Sequence, residues 1–216
     1  MRQSSAAIVR KPRVDAARNR ERVLEAAKAV FRTGGADASL EAVARRAGVG
    51  IGTLYRHFPT REALYEAVYR REVEQLGDLA EQLKDEPRPV NALRRWLRSN
   101  VEFVATKKGM SAALTLAAQA SPELRSYSFD RLTKAAGALL DRAVAAGEIR
   151  SDISSEDLIR ALVGMCYMHD QPGWQSNVLR LLDVFVDGLR TRARQDTAAR
   201  SRPTVVERSA SRKKKR

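Results

Sequence analysis

The chain has 216 residues, of which 44% are hydrophobic, and its formal net charge of +14 lies in the termini, because the segment between residues 21 and 189 carries 23 basic and 23 acidic residues. Cys166 is the single cysteine and His57 and His169 are the only histidines, which excludes an internal disulfide and a thiolate metal cluster. Neither an apolar N-terminal signal nor a run of about 18 apolar residues occurs, so the sequence predicts a soluble cytoplasmic protein with no membrane partner.

Apolar residues recur at helical spacing along most of the chain, and no alternating pattern indicates a sheet, so an all-α fold is predicted. Residues 1–14 are basic and aperiodic and are expected to form a flexible arm. Glycines after Thr33 end the first helix, Ser39 can cap the second, and Pro59 ends the third. The predicted helices of this part span 16–32, 40–47 and 51–58.

A longer helical body is expected to follow this head. Thr60 can cap a fourth helix that ends near residue 83, and Lys84 to Pro89 form a clear break. Five further helices are predicted at 90–106, 110–119, 122–146, 155–169 and 175–193, which gives about nine in total. The predicted domains are a helix-turn-helix domain at 15–60, a ligand-binding and dimerisation domain at 61–194 with 61–83 as connecting helix, and a disordered basic tail at 195–216.

The segment from Ser39 to Leu64 carries the clearest functional pattern. Two short helices joined through a glycine turn are the helix-turn-helix arrangement, in which the second helix enters the DNA major groove. Helical spacing turns Leu54 and Phe58 inward and leaves Gly52, Thr53, Arg56 and His57 outward, with Tyr55 to one side. Phe58 is therefore interpreted as core, and Tyr55 as a phosphate contact rather than core.

Each outward residue suits one kind of contact with DNA. Gly52 allows the backbone to come close, and Thr53 can meet a thymine methyl or a base edge. Tyr55, His57 and Arg61 can bind phosphate oxygens, as can the free amides of the helix that Ser39 caps. Arg45 and Arg46 fit a solvated face as well as a DNA contact. The predicted DNA-binding set is Ser39, Arg45, Arg46, Gly50, Gly52, Thr53, Tyr55, Arg56, His57 and Arg61.

The stretch from Glu21 to Val68, and above all GTLYRHFPTREAL, closely resembles the DNA-binding region of the TetR family. The resemblance implies an all-α homodimer with a three-helix head and a variable ligand-binding body. One departure concerns Gly50 and Ile51, where many members carry Ser and then Lys. A glycine can still occupy the cap position, but a potential phosphate-contacting lysine is absent.

The predicted body carries aromatic and polar residues on otherwise apolar helix faces. This pattern fits an effector pocket and an ordinary core equally well. The candidate ligand-binding residues are Trp96, Asn100, Phe103, Tyr127 and Met165. The last helix has an unusually wide apolar face, so Leu182 and Phe185 are expected to contact a second copy of the chain. Cys166 is interpreted as a core residue, since no neighbour in sequence would lower its pKa.

These patterns predict a DNA-binding regulator, more often a repressor, that a small molecule releases from its operator. The alternative is a constitutive or architectural DNA-binding dimer without an effector. An enzyme is not expected, because the sequence has no phosphate loop, no nucleophile elbow and no metal-ligand cluster. No catalytic residue, metal or cofactor is therefore predicted.

Overall fold

The computed structural model describes residues 10–34, 38–109, 122–168 and 171–191. Within these ranges the chain is all-α, as predicted, and its only β-type pairing is an isolated bridge between Ile149 and Arg190. The predicted helix at 110–119, the predicted tail and residues 1–9 of the predicted arm lie outside the described residues. The helices are α1 (Arg10–Gly34), α2 (Leu40–Ala47), α3 (Ile51–His57), α4 (Arg61–Gln82), α5 (Pro89–Gly109), α6 (Pro122–Ala145), α7 (Ser155–Tyr167) and α8 (Trp174–Gly188).

The head consists of α1, α2 and α3 packed around one apolar centre. Val23, Leu24 and Phe31 of α1 are buried there together with Leu54 of α3. The helix α1 begins at Arg10, six residues before the predicted start, so that boundary prediction was wrong. The early start is compatible with Pro12, because the first amide groups of a helix have no intrahelical acceptor and a proline there loses no hydrogen bond.

The helix α4 connects the head to the body and packs on both. On the head side, the rings of Phe31 and Tyr65 have centroids 4.3 Å apart. On the body side, Trp96 Nε1 donates a hydrogen bond to the Leu76 carbonyl oxygen over 2.8 Å, and other aromatic rings of α4 and α5 lie in contact. A single 22-residue helix therefore packs against both the head and the body.

Ion pairs tie α1 of the head to α4 and α5. Pairs with exposed partners contribute little to stability, roughly 0–1 kcal/mol each. The Arg71 guanidinium, through its hydrogen bond, lowers the pKa of the Glu25 carboxyl. The pairs are Lys28–Glu72 (2.7 Å), Arg71–Glu21 (2.8 Å), Arg71–Glu25 (2.9 Å) and Arg32–Glu102 (2.6 Å).

The helices α7 and α8 each have an inner and an outer apolar face. Leu182 of α8 is fully buried in the core of its own chain, so the prediction that it contacts a second copy was wrong. The 3.6-residue period places Val178, Leu182 and Val186 on one side of the helix and Leu181 and Val184 on the other. Leu181 is 44% and Val184 70% exposed.

On α7, Val163 and Tyr167 are exposed, and the Lys108 ammonium lies 5.5 Å from the centroid of the Tyr167 ring. The opposite side of α7 buries Leu158, Leu162 and Cys166. Among the described helices, none combines the length and apolar character needed to cross a membrane.

Candidate nucleic-acid interface

The α2–α3 pair is built on a glycine turn. The Ser39 side chain caps α2 by accepting a hydrogen bond from the Ala42 amide over 3.0 Å. Gly48 ends α2 in the left-handed region, at φ 64° and ψ 39°, where a β-carbon would be strained. Its amide donates to carbonyls of the last turn of α2. The predicted cap at Ser39 and the predicted stop at Gly48 are both confirmed.

The third helix begins and ends close to the predicted bounds. Gly50 is its N-cap in an extended conformation, at φ −68° and ψ 147°, and it supplies no side-chain cap. The Thr53 amide donates to the Gly50 carbonyl oxygen over 2.9 Å, which closes the first turn. Leu54 and Phe58 are buried and anchor the helix, so the interpretation of Phe58 as core is confirmed.

Two arginines of α1, which the sequence pattern did not single out, hold this motif in place. Arg22 Nη2 donates to the Gly48 carbonyl oxygen over 3.2 Å. The Arg20 guanidinium carbon lies 5.3 Å from the centroid of the Phe58 ring, within range of a cation–π contact. Both lie on a basic helix whose spacing does not distinguish them from solvated residues, so sequence alone gave no signal for them.

The outward face of α3 carries the predicted contact residues. Tyr55 is 45% exposed, which excludes the alternative of a core residue. Gly52 is exposed, and an added β-carbon there would meet no atom within 4 Å. Its φ is not positive, so neither conformation nor packing within the chain requires glycine at this position. His57 is half-buried, with its ring centroid 6.3 Å from that of Phe58.

Arg56 is held along α3 by its own neighbours. Its Nη2 donates to Thr53 Oγ1 over 3.2 Å, and its Nε donates to the Gly52 carbonyl oxygen over 3.3 Å. These two bonds place the guanidinium beside Thr53, which is expected to meet a base edge, and Gly52, which is expected to let the backbone come close to DNA. Arg56 and Thr53 therefore form one polar unit on the exposed helix, which sequence spacing allows but does not specify.

The remaining predicted DNA contacts lie around this face. Arg45 is exposed on α2, and Arg61 Nε donates to the buried Tyr65 hydroxyl over 2.9 Å at the start of α4. Arg46 borders a groove whose other walls belong to α1, α5 and α8, so it lies on the side of α2 that faces the body. Residues 38–61 contain four arginines and a single acid, Glu41, so the surface is positively charged.

The five candidate ligand-binding residues are not brought together in one cavity bounded by described residues. Phe103 borders a cavity of about 240 Å³ between α1, α4 and α5, whereas Tyr127 borders a separate groove of about 450 Å³ between α1, α4 and α6. Trp96 is fully buried with its indole N–H satisfied, and Asn100 Nδ2 donates to the Trp96 carbonyl oxygen over 2.8 Å. Met165 is half-buried against the core.

The interpretation of Cys166 as core is confirmed. Its thiol is buried, and burial raises its pKa to about 11. Among the described residues, no group of three or more His, Cys, Asp or Glu side chains is placed to hold a metal ion.

Family models match both parts of the chain. Residues 23–68 match the bacterial regulatory proteins of the tetR family, and residues 88–191 match the C-terminal domain of SbtR-like transcriptional regulators. Among curated proteins, a helix-turn-helix-type transcriptional regulator of Staphylococcus aureus is 36% identical over 75 residues. That match spans 34% of this chain and only 40% of the relative's length.

Solved structures match over a longer range. A TetR transcriptional regulator from Streptomyces coelicolor is 46% identical, with a TM-score of 0.74 over 81% of this chain and 99% of that one. A TetR regulator from Mycobacterium vanbaalenii is 36% identical, with a TM-score of 0.65 over 83% of this chain and 99% of that one. Since these likenesses cover the head and the body together, the chain belongs to the TetR family of helix-turn-helix transcriptional regulators, which are not enzymes.

Proposed function

We propose that this protein is a cytoplasmic, homodimeric repressor that binds operator DNA through α3 and leaves it when a small molecule binds the body. The observation that carries the DNA-binding part is the outward face of α3. It combines Thr53 and Arg56 with an exposed Gly52 that no contact within the chain requires. Because nothing within the chain requires glycine at this position, its role is to let the α3 backbone come close to another molecule.

The role of each residue on the outward face of α3 follows from its side-chain chemistry. Thr53 and the backbone at Gly52 meet base edges in the major groove, whereas Tyr55 and His57 bind phosphates beside it. Arg56 donates a hydrogen bond to the Thr53 hydroxyl in the free chain. On DNA it either keeps this bond and holds the hydroxyl in place, or breaks it and binds a guanine, which arginine contacts in a bidentate manner. Arg45 and Arg61 extend the phosphate contacts along both flanks.

The outer apolar face of α7 and α8 supports a dimer. Val163 and Tyr167 on α7 and Leu181 and Val184 on α8 expose large apolar groups that single-chain packing leaves uncovered. Clusters of this kind mark protein interfaces in soluble proteins. Two heads related by a twofold axis would reach half-sites about 34 Å apart along one face of the duplex.

Release by a ligand is supported by the position of α4. Because α4 packs on Phe31 of the head and on Trp96 of the body, a shift of α4 caused by a bound molecule would reach the head directly. Phe103 and Tyr127 border two separate cavities that are both lined by α4, so a molecule bound in either cavity would contact this helix. A constitutive binder is the second candidate, and the internally satisfied Trp96 and Asn100 favour it, because these side chains are already packed as core.

The test is selection of binding sites from a random duplex pool with the full-length chain, followed by a reporter assay. The enriched sequence, placed over a promoter, should lower transcription when the chain is expressed. Unchanged or increased transcription would reject the repressor. A panel of metabolites is then screened for release of the labelled duplex; release by one of them supports the effector, and persistent binding throughout the panel supports the constitutive binder.

A further inference from the structure

The cavity between α1, α4 and α5 lies where the head meets the body. Its volume is about 240 Å³. An apolar cavity of roughly 150 Å³ accepts benzene, so this one has room for an aromatic ring and a short polar group. Its inner wall includes the buried residues Glu72, Leu76 and Phe103, and exposed Gln75 and Glu102 lie at its rim.

The inner wall contains a buried carboxylate that only one cation contacts. Glu72 is 5% exposed, and its Oε2 pairs with the Lys28 ammonium at 2.7 Å. Its Oε1 is also buried and accepts no hydrogen bond from the part of the chain that the structure describes. A buried carboxylate oxygen without a donor is costly, and nearly all such oxygens in proteins are hydrogen-bonded. A molecule that carries a donor group into the cavity would supply the missing bond.

The other lining side chains favour a cationic donor on an apolar ring. Of the described residues that line the cavity, Glu72 and Glu102 are acidic and only Lys28 is basic. An anion would therefore meet two carboxylates and a lysine that is already paired with one of them. A charged donor also binds a carboxylate more strongly than a neutral hydroxyl does. Leu76 and Phe103 supply the apolar wall that suits a ring.

We propose that this cavity binds a small primary amine carried on an apolar ring, with its ammonium on Glu72 and its ring against Leu76 and Phe103. Because Oε1 is covered in the free chain, the carboxyl turns toward the cavity on binding, and Lys28 then shares it with the ligand. The amine therefore acts on an ion pair that joins α1 of the head to α4. Its role as an effector rests on the release from DNA proposed above, whereas its binding to the free chain does not.

The two tryptophans provide a local test on the free full-length chain. The Trp96 indole N–H donates to the carbonyl oxygen of Leu76, which lines the cavity, whereas Trp174 at the start of α8 does not line it. In a spectrum of the ¹⁵N-labelled indole groups, benzylamine should shift the Trp96 signal and leave that of Trp174 in place. Benzyl alcohol, which has the same shape without the charge, should bind at least tenfold more weakly, and benzoate should not bind.

A matched pair of variants removes a negative charge inside or outside the cavity. Glu72→Gln keeps the size of the side chain and should weaken benzylamine binding at least tenfold. Glu81→Gln makes the same change at an exposed position of α4 that does not line the cavity, and it should leave benzylamine binding within twofold of the wild type. If Glu72→Gln does not fold, the comparison of the three ligands on the wild type decides the proposal.

Release from DNA is measured separately, by adding benzylamine to the complex with the selected duplex. A chain that binds benzylamine but stays on the duplex would reject release by this ligand and leave the amine site in place. The amine site itself is overturned by benzyl alcohol or benzoate binding as tightly as benzylamine, by a Trp96 signal that benzylamine does not move, or by folded Glu72→Gln binding benzylamine as the wild type does.

Discussion

Replacing Gly52 by alanine should stabilise the free chain and weaken its binding to DNA. The added β-carbon meets nothing within 4 Å, and φ is not positive, so the substitution introduces no strain. Alanine in a helix is favoured over glycine by about 0.5–1 kcal/mol, and we expect the free energy of unfolding to rise by up to that amount. On DNA, the methyl group occupies the space into which the backbone of α3 has to move. We expect affinity to fall at least tenfold, which is about 1.4 kcal/mol.

The two effects are measured separately, by urea unfolding of the free protein and by fluorescence anisotropy on the selected duplex at one fixed salt concentration. Gly137→Ala is the matched control, because an added β-carbon there makes only ordinary contact with Ser155, at 3.6 and 3.8 Å. It should raise stability in the same way and leave DNA affinity unchanged. If Gly52→Ala binds the duplex as tightly as the wild type, α3 does not approach DNA with this face and the reasoning is refuted.

Three further results are expected. Thr53→Ala should reduce discrimination between matched and mismatched operators by about 1–3 kcal/mol, whereas Tyr55→Phe should weaken binding to all sequences alike; a uniform loss for Thr53→Ala would contradict its role in base reading. The double variant Leu181→Glu and Val184→Glu should run as a folded monomer in light scattering after gel filtration, and a stable dimer would reject the proposed interface. Because the pKa of Cys166 is raised to about 11 by burial, iodoacetamide at pH 7.5 should alkylate the folded chain at least about a hundredfold more slowly than the urea-unfolded chain, with the rate rising as the pH approaches 11. Equal rates would show that the thiol is not protected.

The head could be predicted from the sequence because local chemistry determines it. Ser39 and Thr60 cap the helices that follow them, and Gly48 supplies the left-handed turn. Each of these residues acts on a backbone group within a few positions of itself. The prediction therefore needed no knowledge of tertiary contacts.

The arrangement of the body could not be predicted in the same way. The last helix is apolar on two faces, and the periodicity alone did not indicate that Leu182 faces its own core and Leu181 the outside. Phe103 and Tyr127 are both aromatic residues of a kind that often lines pockets. The packing of α5 and α6 on α4 nevertheless places them at different cavities. Such choices depend on contacts between residues that are far apart in the sequence.

The ion pairs between head and body illustrate the same limit. Arg71 reaches Glu21 and Glu25 across some 50 residues of chain, and both acids look like ordinary members of a solvated helix face. The sequence also does not indicate that Arg46 faces the body, since Arg45 beside it is the same residue type. The two arginines differ only in position: Arg46 borders the groove that α1, α5 and α8 also line, and Arg45 does not.

The most direct test of the account is hydroxyl-radical footprinting on the selected duplex, combined with native mass spectrometry of the complex. A dimer that reads DNA through two copies of α3 should protect an inverted repeat in two patches about one helical turn, or 10 base pairs, apart, with two protomers for each such pair of patches. Protection by a single protomer, or no enrichment of any sequence from the random pool, would contradict the claim that α3 of a symmetric dimer reads the operator.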